Sequence, residues 1–408
     1  MEDQMIRGRR PLALLAVVML LLAACGSDDD GVAGTGSETT EAGDGAEDGP
    51  QEITVQIDGR ADDFNAAFLA YFPDQVTVHP GDTIVYRSNF TGEPHSISFG
   101  SIVTDVVDAF RALTPEELES EGPPPPELMA AFEAVPSMLP EGPGDANQSS
   151  INPCFVAAGE DLPEDESAQC DVTEPAPFDG TEVFYNSGFL PDGETFELQL
   201  ADDIEPGTYV GFCTLHFVEM ISEVTVVPAD QEIPSAGEVD DEGQEQLDAL
   251  IEQLEPAAED PESPGDGEVQ AGAGSEELPN AMVVEFLPDE IEVGVGDEVT
   301  WTFVGPHTVS FNAPEEARVP ISRGDDGGFH LVAAALAPAG FDPPPPPDPP
   351  PDEEGPPPDI EGGVWDGSGF FSSGIAFGGG FTVTFSEEGS YEYVCLIHPE
   401  MEGTVTVS

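Results

Sequence analysis

Residues 389–401 read GSYEYVCLIHPEM, and residues 207–220 read GTYVGFCTLHFVEM. Each stretch is a strand-like segment that runs into a Cys, a His and a Met, and each leads to a Val-Thr-Val at 405–407 or 224–226. Alternation of apolar and polar residues at period two is the pattern of a half-buried strand. Working outward, PHTVSF at 306–311 and PHSISF at 94–99 set one histidine ahead of each stretch. Further upstream, LPDEIEV at 287–293 and VGDEVTW at 295–301 match FPDQVTV at 72–78 and PGDTIVY at 80–86. A Ser-Gly-Phe at 368–370 pairs with another at 187–189. The chain therefore holds two copies of one strand-rich unit, with fixed ends and a middle of variable length.

Each copy supplies two imidazoles, a thiol and a thioether: His95, Cys213, His216 and Met220 in the first, His307, Cys395, His398 and Met401 in the second. The chain has only six histidines and five cysteines, so these positions take up most of its soft donors. Two imidazoles and a thiolate with a weak thioether suit a copper ion that cycles between its two oxidation states. Zinc prefers a tetrahedral site and gains nothing from the thioether. One copper per copy, two per chain, is the expectation. The Cys-to-Met spacing is one residue longer in the first copy, which leaves Met220 the less regular of the two axial donors.

On these residues both copies resemble the cupredoxin family of blue (type 1) copper proteins, which includes plastocyanin, amicyanin and pseudoazurin. The resemblance covers the two repeat units and not the tether, linker or central insertions. It implies an all-β chain: two Greek-key β-sandwich domains, each of seven or eight antiparallel strands, with long Pro-rich insertions and a disordered acidic tether and linker. It implies an electron carrier that exchanges single electrons with a donor and an acceptor redox protein. It also implies that the backbone N–H of Ser96 and Thr308 reaches the cysteine sulfur, and that the exposed edges of His216 and His398 pass the electron. Copper nitrite reductases and multicopper oxidases need further histidines, and only His79 and His330 remain, so no enzymatic turnover is expected. His79 reads as a surface turn residue and His330 as structural. Two other roles fit the same donors: extracytoplasmic copper storage or delivery, and service as a subunit of a larger oxidase or reductase.

The N-terminus reads as a targeting segment. Arg7, Arg9 and Arg10 precede an apolar run from Leu12 to Ala24, which is shorter than the roughly 20 residues a membrane span needs. It ends in Leu22-Ala23-Ala24-Cys25-Gly26, which looks like a bacterial lipobox with Cys25 as the lipid attachment site. Residues 1–25 are the expected signal peptide. The mature chain would be lipid-anchored on the outer face of the bacterial cytoplasmic membrane. Residues 26–50 are an acidic tether with almost no bulky apolar residue. The first domain is expected over 51–228 with an insertion at about 100–180. The second is expected over 280–408 with a Pro-rich insertion at about 313–363. Between them, 229–279 reads as an acidic linker with a short helix over 242–254. Cys154 and Cys170 fall in the first insertion, and an exported setting favours a disulfide between them. Both insertions are expected to lie over or beside one end of a sandwich.

Charge narrows the partners. The chain has no lysine and eight arginines against 84 acidic residues, for a formal charge of −76. Phosphate contacts need Lys and Arg, so recognition of nucleic acid by a basic patch is excluded. The acidity serves solubility, or it steers the chain toward a basic partner.

Overall fold

The computed structural model describes residues 49–408, apart from 90, 119–123, 137, 139–145, 173, 260–264, 276–277, 326 and 342–358. The expected signal peptide, Cys25 and nearly all of the acidic tether lie outside the described residues. So do the proline runs at 343–347 and 356–358.

The first repeat opens with β1 (Glu52–Ile57), β2 (Ala66–Phe68), β3 (Tyr71–Phe72), β4 (Gln75–Val78), β5 (Thr83–Ser88) and β6 (Ser98–Phe99). Its insertion carries α1 (Ser101–Arg111), α2 (Pro115–Leu118), α3 (Pro126–Ala134), α4 (Gln148–Ile151) and β7 (Cys154–Val156). It closes with β8 (Phe184–Asn186), β9 (Thr195–Gln199), β10 (Gly207–Cys213) and β11 (Phe217–Val226). A single helix, α5 (Ala236–Glu259), leads to the second repeat. That repeat begins with β12 (Glu268–Ser275), β13 (Leu278–Leu287), β14 (Glu290–Val293), β15 (Glu298–Phe303) and β16 (Ser310–Phe311). Its insertion holds β17 (Ile321–Arg323), β18 (Phe329–Leu331) and α6 (Ala333–Leu336). The end is β19 (Ile360–Trp365), β20 (Phe371–Ser372), β21 (Gly380–Phe385), β22 (Gly389–Val394) and β23 (Glu402–Val407).

Each repeat is a β-sandwich. In the first, the sheet β3-β1-β5-β9 faces β4-β11-β10-β6-β8-β7, and alternate residues of both meet in one core around Val55, Tyr86, Phe99 and Val224. In the second, β19-β21-β15-β12-β13 faces β14-β23-β22-β16-β20 around Trp301, Phe311 and Tyr393. The sheets are mixed and not purely antiparallel as the family resemblance implied. β1 runs parallel to β5, and β4 parallel to β11, with the same parallel pairs at β12–β15 and β14–β23. The chain passes through the opposite sheet, at β4 between β1 and β5 and at β14 between β12 and β15, before it returns to the first sheet in the original direction.

The insertion of the first repeat covers a face of its sandwich as well as the donor-bearing end, where its Ala146 and Ile151 share a cluster with Leu215. Val103, Val106 and Val107 of α1 pack on Val210 and Phe212, the outward residues of β10, so this sheet is buried on both sides. β7 extends the same sheet by pairing with β8. Cys154 and Cys170 are bonded, with Cα atoms 5.2 Å apart, beneath α1.

The repeats are less regular than the sequence suggested at one point. Ser187-Gly188-Phe189 does not correspond to Ser368-Gly369-Phe370. Ser187 donates its backbone N–H to Ile97 O and accepts the Ile97 N–H on Oγ. In the second repeat Ser373 holds these bonds, to Val309, and Gly374 follows at φ 68°, the value of Gly188. The shared element is Ser-Gly after the β8 or β20 strand, and the following Phe is incidental.

The linker expectation also changes. The helix is 24 residues long and begins at a capping box, in which Ser235 and Glu238 exchange side-chain and backbone bonds. One face (Val239, Gly243, Leu247, Leu254) is buried along its length. The first strand of the second repeat, β12, already lies within the expected linker, so the unit begins near residue 268 and not 280.

Replacing both Cys154 and Cys170 by Ser removes one cross-link over 16 residues and leaves no odd thiol. The expected loss is about 3 kcal/mol of unfolding free energy, read as a lowered denaturant midpoint. An unchanged midpoint would mean that α1 packing alone holds this region.

Candidate metal centres

Sheet ends bring the donors together. β10 delivers Cys213 at its last residue, and the loop to β11 delivers His216. His95 arrives from the segment between β5 and β6. Their ligand atoms lie within 4.8 Å of one another, and the imidazole centroids of His95 and His216 stand 5.0 Å apart. In the second repeat His307, Cys395 and His398 converge in the same way, with imidazole centroids 4.8 Å apart. Met220 and Met401 are buried in the same core clusters as Cys213 and Cys395.

The longer first loop does not displace Met220. The residue before each Cys pairs with the residue after each Met: Phe212 with Ile221, and Val394 with Glu402. The additional residue is taken up between His216 and Met220, where Phe217 adopts φ 46°. That conformation lets the chain re-enter β11 in register.

Both sulfur atoms accept the backbone N–H that the family resemblance implied, from Ser96 at 3.5 Å and from Thr308 at 3.3 Å. Ser96 Oγ also meets Thr214 Oγ1 at 3.0 Å, and Thr308 Oγ1 accepts the Leu396 N–H at 2.7 Å. These bonds fix each cysteine against the opposite strand.

The donor sets fit a soft cation. Nδ1 of His95 and of His216 are buried and have no hydrogen-bond partner among the described residues. In the second centre Nδ1 of His307 and of His398 face each other at 3.1 Å, with Cys395 Sγ 3.9 Å and 3.5 Å away. Orphaned buried nitrogens around a thiolate cost free energy unless a further group satisfies them.

The surroundings of the imidazoles differ between centres, and sequence reading missed the residues responsible. His95 turns Nε2 to Asp58 Oδ2 at 3.3 Å, and His216 turns Nε2 to Glu93 Oε2 at 3.5 Å. A carboxylate on one ring nitrogen fixes the tautomer and leaves the other nitrogen free to ligate. In the second centre His307 Nε2 meets only the Val304 carbonyl, at 3.0 Å, and His398 Nε2 has no hydrogen-bond partner among the described residues. Asp58 and Glu93 were hidden among 84 acidic residues. Their only sequence signal was position: Glu93 lies two residues before His95.

These contacts set the charges. Burial opposes ionisation of Cys213 and Cys395, but the neighbouring imidazoles prevail and hold both thiols well below the ordinary range. Burial would lower His95 and His216, but Asp58, Cys213 and Glu93 lift them to about 9 and about 10. His307 is pulled down by burial and by His398, and His398 is raised against burial by Cys395. Burial would raise Glu93, but His216 holds it at about 2.

His79 is half-buried, with Nε2 2.8 Å from Gln231 O, and His330 lies on β18 in the second insertion; neither belongs to the two donor clusters found among the described residues.

No family model matches the chain, and no curated protein matches it. Among solved structures, it is similar to a purple cupredoxin from Nitrosopumilus maritimus, at 20% identity, 35% of this chain, 100% of that one and a TM-score of 0.17. It is also similar to auracyanin A, a blue copper protein from Chloroflexus aurantiacus, at 15% identity, 44% of this chain, 100% of that one and a TM-score of 0.21. Amicyanin from Paracoccus versutus matches at 19% identity, 36% of this chain, 86% of that one and a TM-score of 0.17.

Proton counting separates the two centres. In the metal-free protein at neutral pH both thiols are ionised, and His95 and His216 are protonated because their pKa values stand above the solution pH. A metal entering the first centre must displace both protons. In the second, burial and His398 push His307 toward its neutral form, and only His398 is biased toward holding a proton. Loading should therefore release more protons in the first centre than in the second. Affinity of the first should therefore climb more steeply with pH, up to about 10. Metal titration of Cys213→Ser and Cys395→Ser at constant pH, with base uptake recorded, reads the two numbers. Equal release would show that Asp58 and Glu93 do not hold protons on the first pair of imidazoles.

Proposed function

We propose that this chain is an electron carrier with two copper centres, one in each β-sandwich. The observation that carries the reading is the duplicated set of buried Cys, His, His and Met side chains, each with a backbone N–H aimed at the sulfur. Copper held there supplies a one-electron couple. His95, Cys213, His216 and Met220 would hold the first ion, and His307, Cys395, His398 and Met401 the second. The rest of the chain keeps these donors in place. The Ser96 and Thr308 N–H groups stabilise the thiolates, Asp58 and Glu93 orient two imidazoles, and the sandwich cores fix the strands that carry the ligands. A ligand set that hardly moves between oxidation states keeps reorganisation small, which is what single-electron exchange requires. Burial of the donors argues against turnover of a diffusing substrate, since His216, the most exposed of the clustered imidazoles and thiols, shows only 10% of its side chain.

The same reading takes the N-terminal segment as an export signal with Cys25 lipidated. The carrier would then work at the outer face of a bacterial membrane, with redox proteins as donor and acceptor. The strongly acidic surface favours a basic docking face on at least one of them.

Copper analysis with visible and paramagnetic resonance spectra, on the chain lacking residues 1–25, tests the central claim. Two coppers per chain with an intense thiolate-to-copper band are expected. Cys213→Ser and Cys395→Ser should each remove one copper signal and leave the other. Weak copper binding without such a band would overturn the carrier reading in favour of copper storage or delivery.

A further inference from the structure

The expectation of an exposed imidazole edge does not hold for His398, whereas His216 keeps 10% of its side chain exposed. His398 is fully buried, and the surface that covers it belongs to the first repeat. A Cβ added at Gly92 would lie 2.2 Å from Ile397 O, 2.6 Å from His398 Cα and 2.8 Å from its Cδ2. Only glycine permits that approach, and its φ of 134° is rarely adopted by other residues. The next residue, Glu93, is buried and reaches His216 Nε2 at 3.5 Å. One dipeptide thus touches the second-centre imidazole with its backbone and the first-centre imidazole with its carboxylate.

The domains are held around this contact from two sides. β2 of the first repeat adds to the second repeat's sheet by pairing with β13, Ala66 opposite Val283 and Phe68 opposite Ala281. Phe68, Phe72, Leu247, Leu254, Ala281 and Val283 then form a shared core that includes α5. On the other side the insertions meet. The Phe329 N–H donates to Asn152 Oδ1 at 2.8 Å, Phe329 packs edge-on against Phe189, and Arg323 pairs with Glu194 at 3.1 Å. Leu215, inside the Cys213–His216 loop, packs on this second cluster.

We propose that the two centres act as one electron-sharing pair, joined through the His216 imidazole, Glu93, Gly92 and the His398 imidazole, with the electron resting on the second centre. The inference rests on the copper reading above and goes beyond it. In the step, the first centre is oxidised by one electron and the second is reduced by one; no bond forms or breaks and no proton moves. Direction follows from charge. The first centre has carboxylates against both imidazoles, which favours its oxidised, more positive state. The second has a neutral carbonyl against one imidazole and no hydrogen-bond partner at His398 Nε2 among the described residues, and Glu93 and Asp58 act on His398 only through space, behind the effect of Cys395. Contact through packed atoms, with water kept out, favours transfer between the imidazoles over exchange with solvent-borne partners at the same edges.

The test uses the two-copper protein without residues 1–25, fully oxidised and then given a pulse of less than one electron per chain. The expected result is a first-order redistribution whose rate does not depend on protein concentration and which leaves most of the electron on the second centre. The Cys213→Ser and Cys395→Ser spectra assign the signals. Gly92→Ala should force the dipeptide away from His398 and abolish the first-order phase while both copper bands persist. A pulsed paramagnetic resonance measurement of the dipolar coupling between the two oxidised coppers gives an independent readout on the unmutated protein, and strong coupling is expected. Two normal copper bands with no measurable coupling, or with redistribution that slows on dilution, would overturn the pairing and leave the carrier reading intact. Absence of the bands themselves would instead remove the carrier reading. An electron that settles on the first centre would overturn the direction assigned from Asp58 and Glu93.

Discussion

The carboxylate of Asp58 is the contact on which the most other features depend. It is fully buried, sits at the end of β1 with φ 60°, and its two oxygens are shared among four donors. Oδ1 accepts the backbone N–H of Gly59 and of Phe68, both at 2.7 Å, and Oδ2 accepts Thr91 Oγ at 2.6 Å and faces His95 Nε2 at 3.3 Å. A buried charge is tolerated only when it is fully bonded, and these bonds satisfy it. They also bind three separate pieces of chain to one point. The Phe68 bond sets the end of β2, the strand that docks into the other repeat. The Thr91 bond sets the start of the segment that carries Gly92, Glu93 and His95. Ligand orientation and domain docking therefore share an anchor.

What could be read from the sequence was what rare residues and repetition make visible. With six histidines and five cysteines in the chain, a duplicated Pro-His and Cys-His-Met stands out, and all six clustered donors are where the repeat put them. The strand pattern of the two units was legible for the same reason. Abundant residues concealed the rest. Serine and glycine are common, so a second Ser-Gly-Phe was matched at 368–370 while the structural counterpart was Ser373-Gly374. Acids are so frequent that Asp58 carried no signal and Glu93 only its place two residues before His95. The acidic, Gly- and Pro-rich composition of 229–279 also outweighed a readable capping box at 235–238 and the buried face of α5. Composition reports the solvent face of that helix, whereas its structure is decided by the few apolar residues on the other side.

Burial restores the information that composition removes. Among the described residues the buried carboxylates are Asp58, Asp82 and Glu93. Asp82 closes a turn by accepting the backbone N–H of Gln51 and of His79. The other two face the first-centre imidazoles. Where nearly all acids among the described residues are exposed or half-exposed, two left inside and aimed at imidazoles mark a site more sharply than any motif. Their charge also explains why the two centres differ although their donors are the same.

The asymmetry gives a physical reason for joining the repeats in one chain by a packed helix. Two independent carriers on a mobile linker would each keep a ligand edge in water, and the second repeat alone would expose His398. A covering surface must instead be held to within van der Waals contact, because Gly92 leaves no room for even a methyl group. Strand addition at β2–β13, the face of α5 and the meeting of the insertions supply that constraint from opposite sides. The insertions, which look from the sequence like interruptions of the fold, are thus part of what holds the two centres face to face.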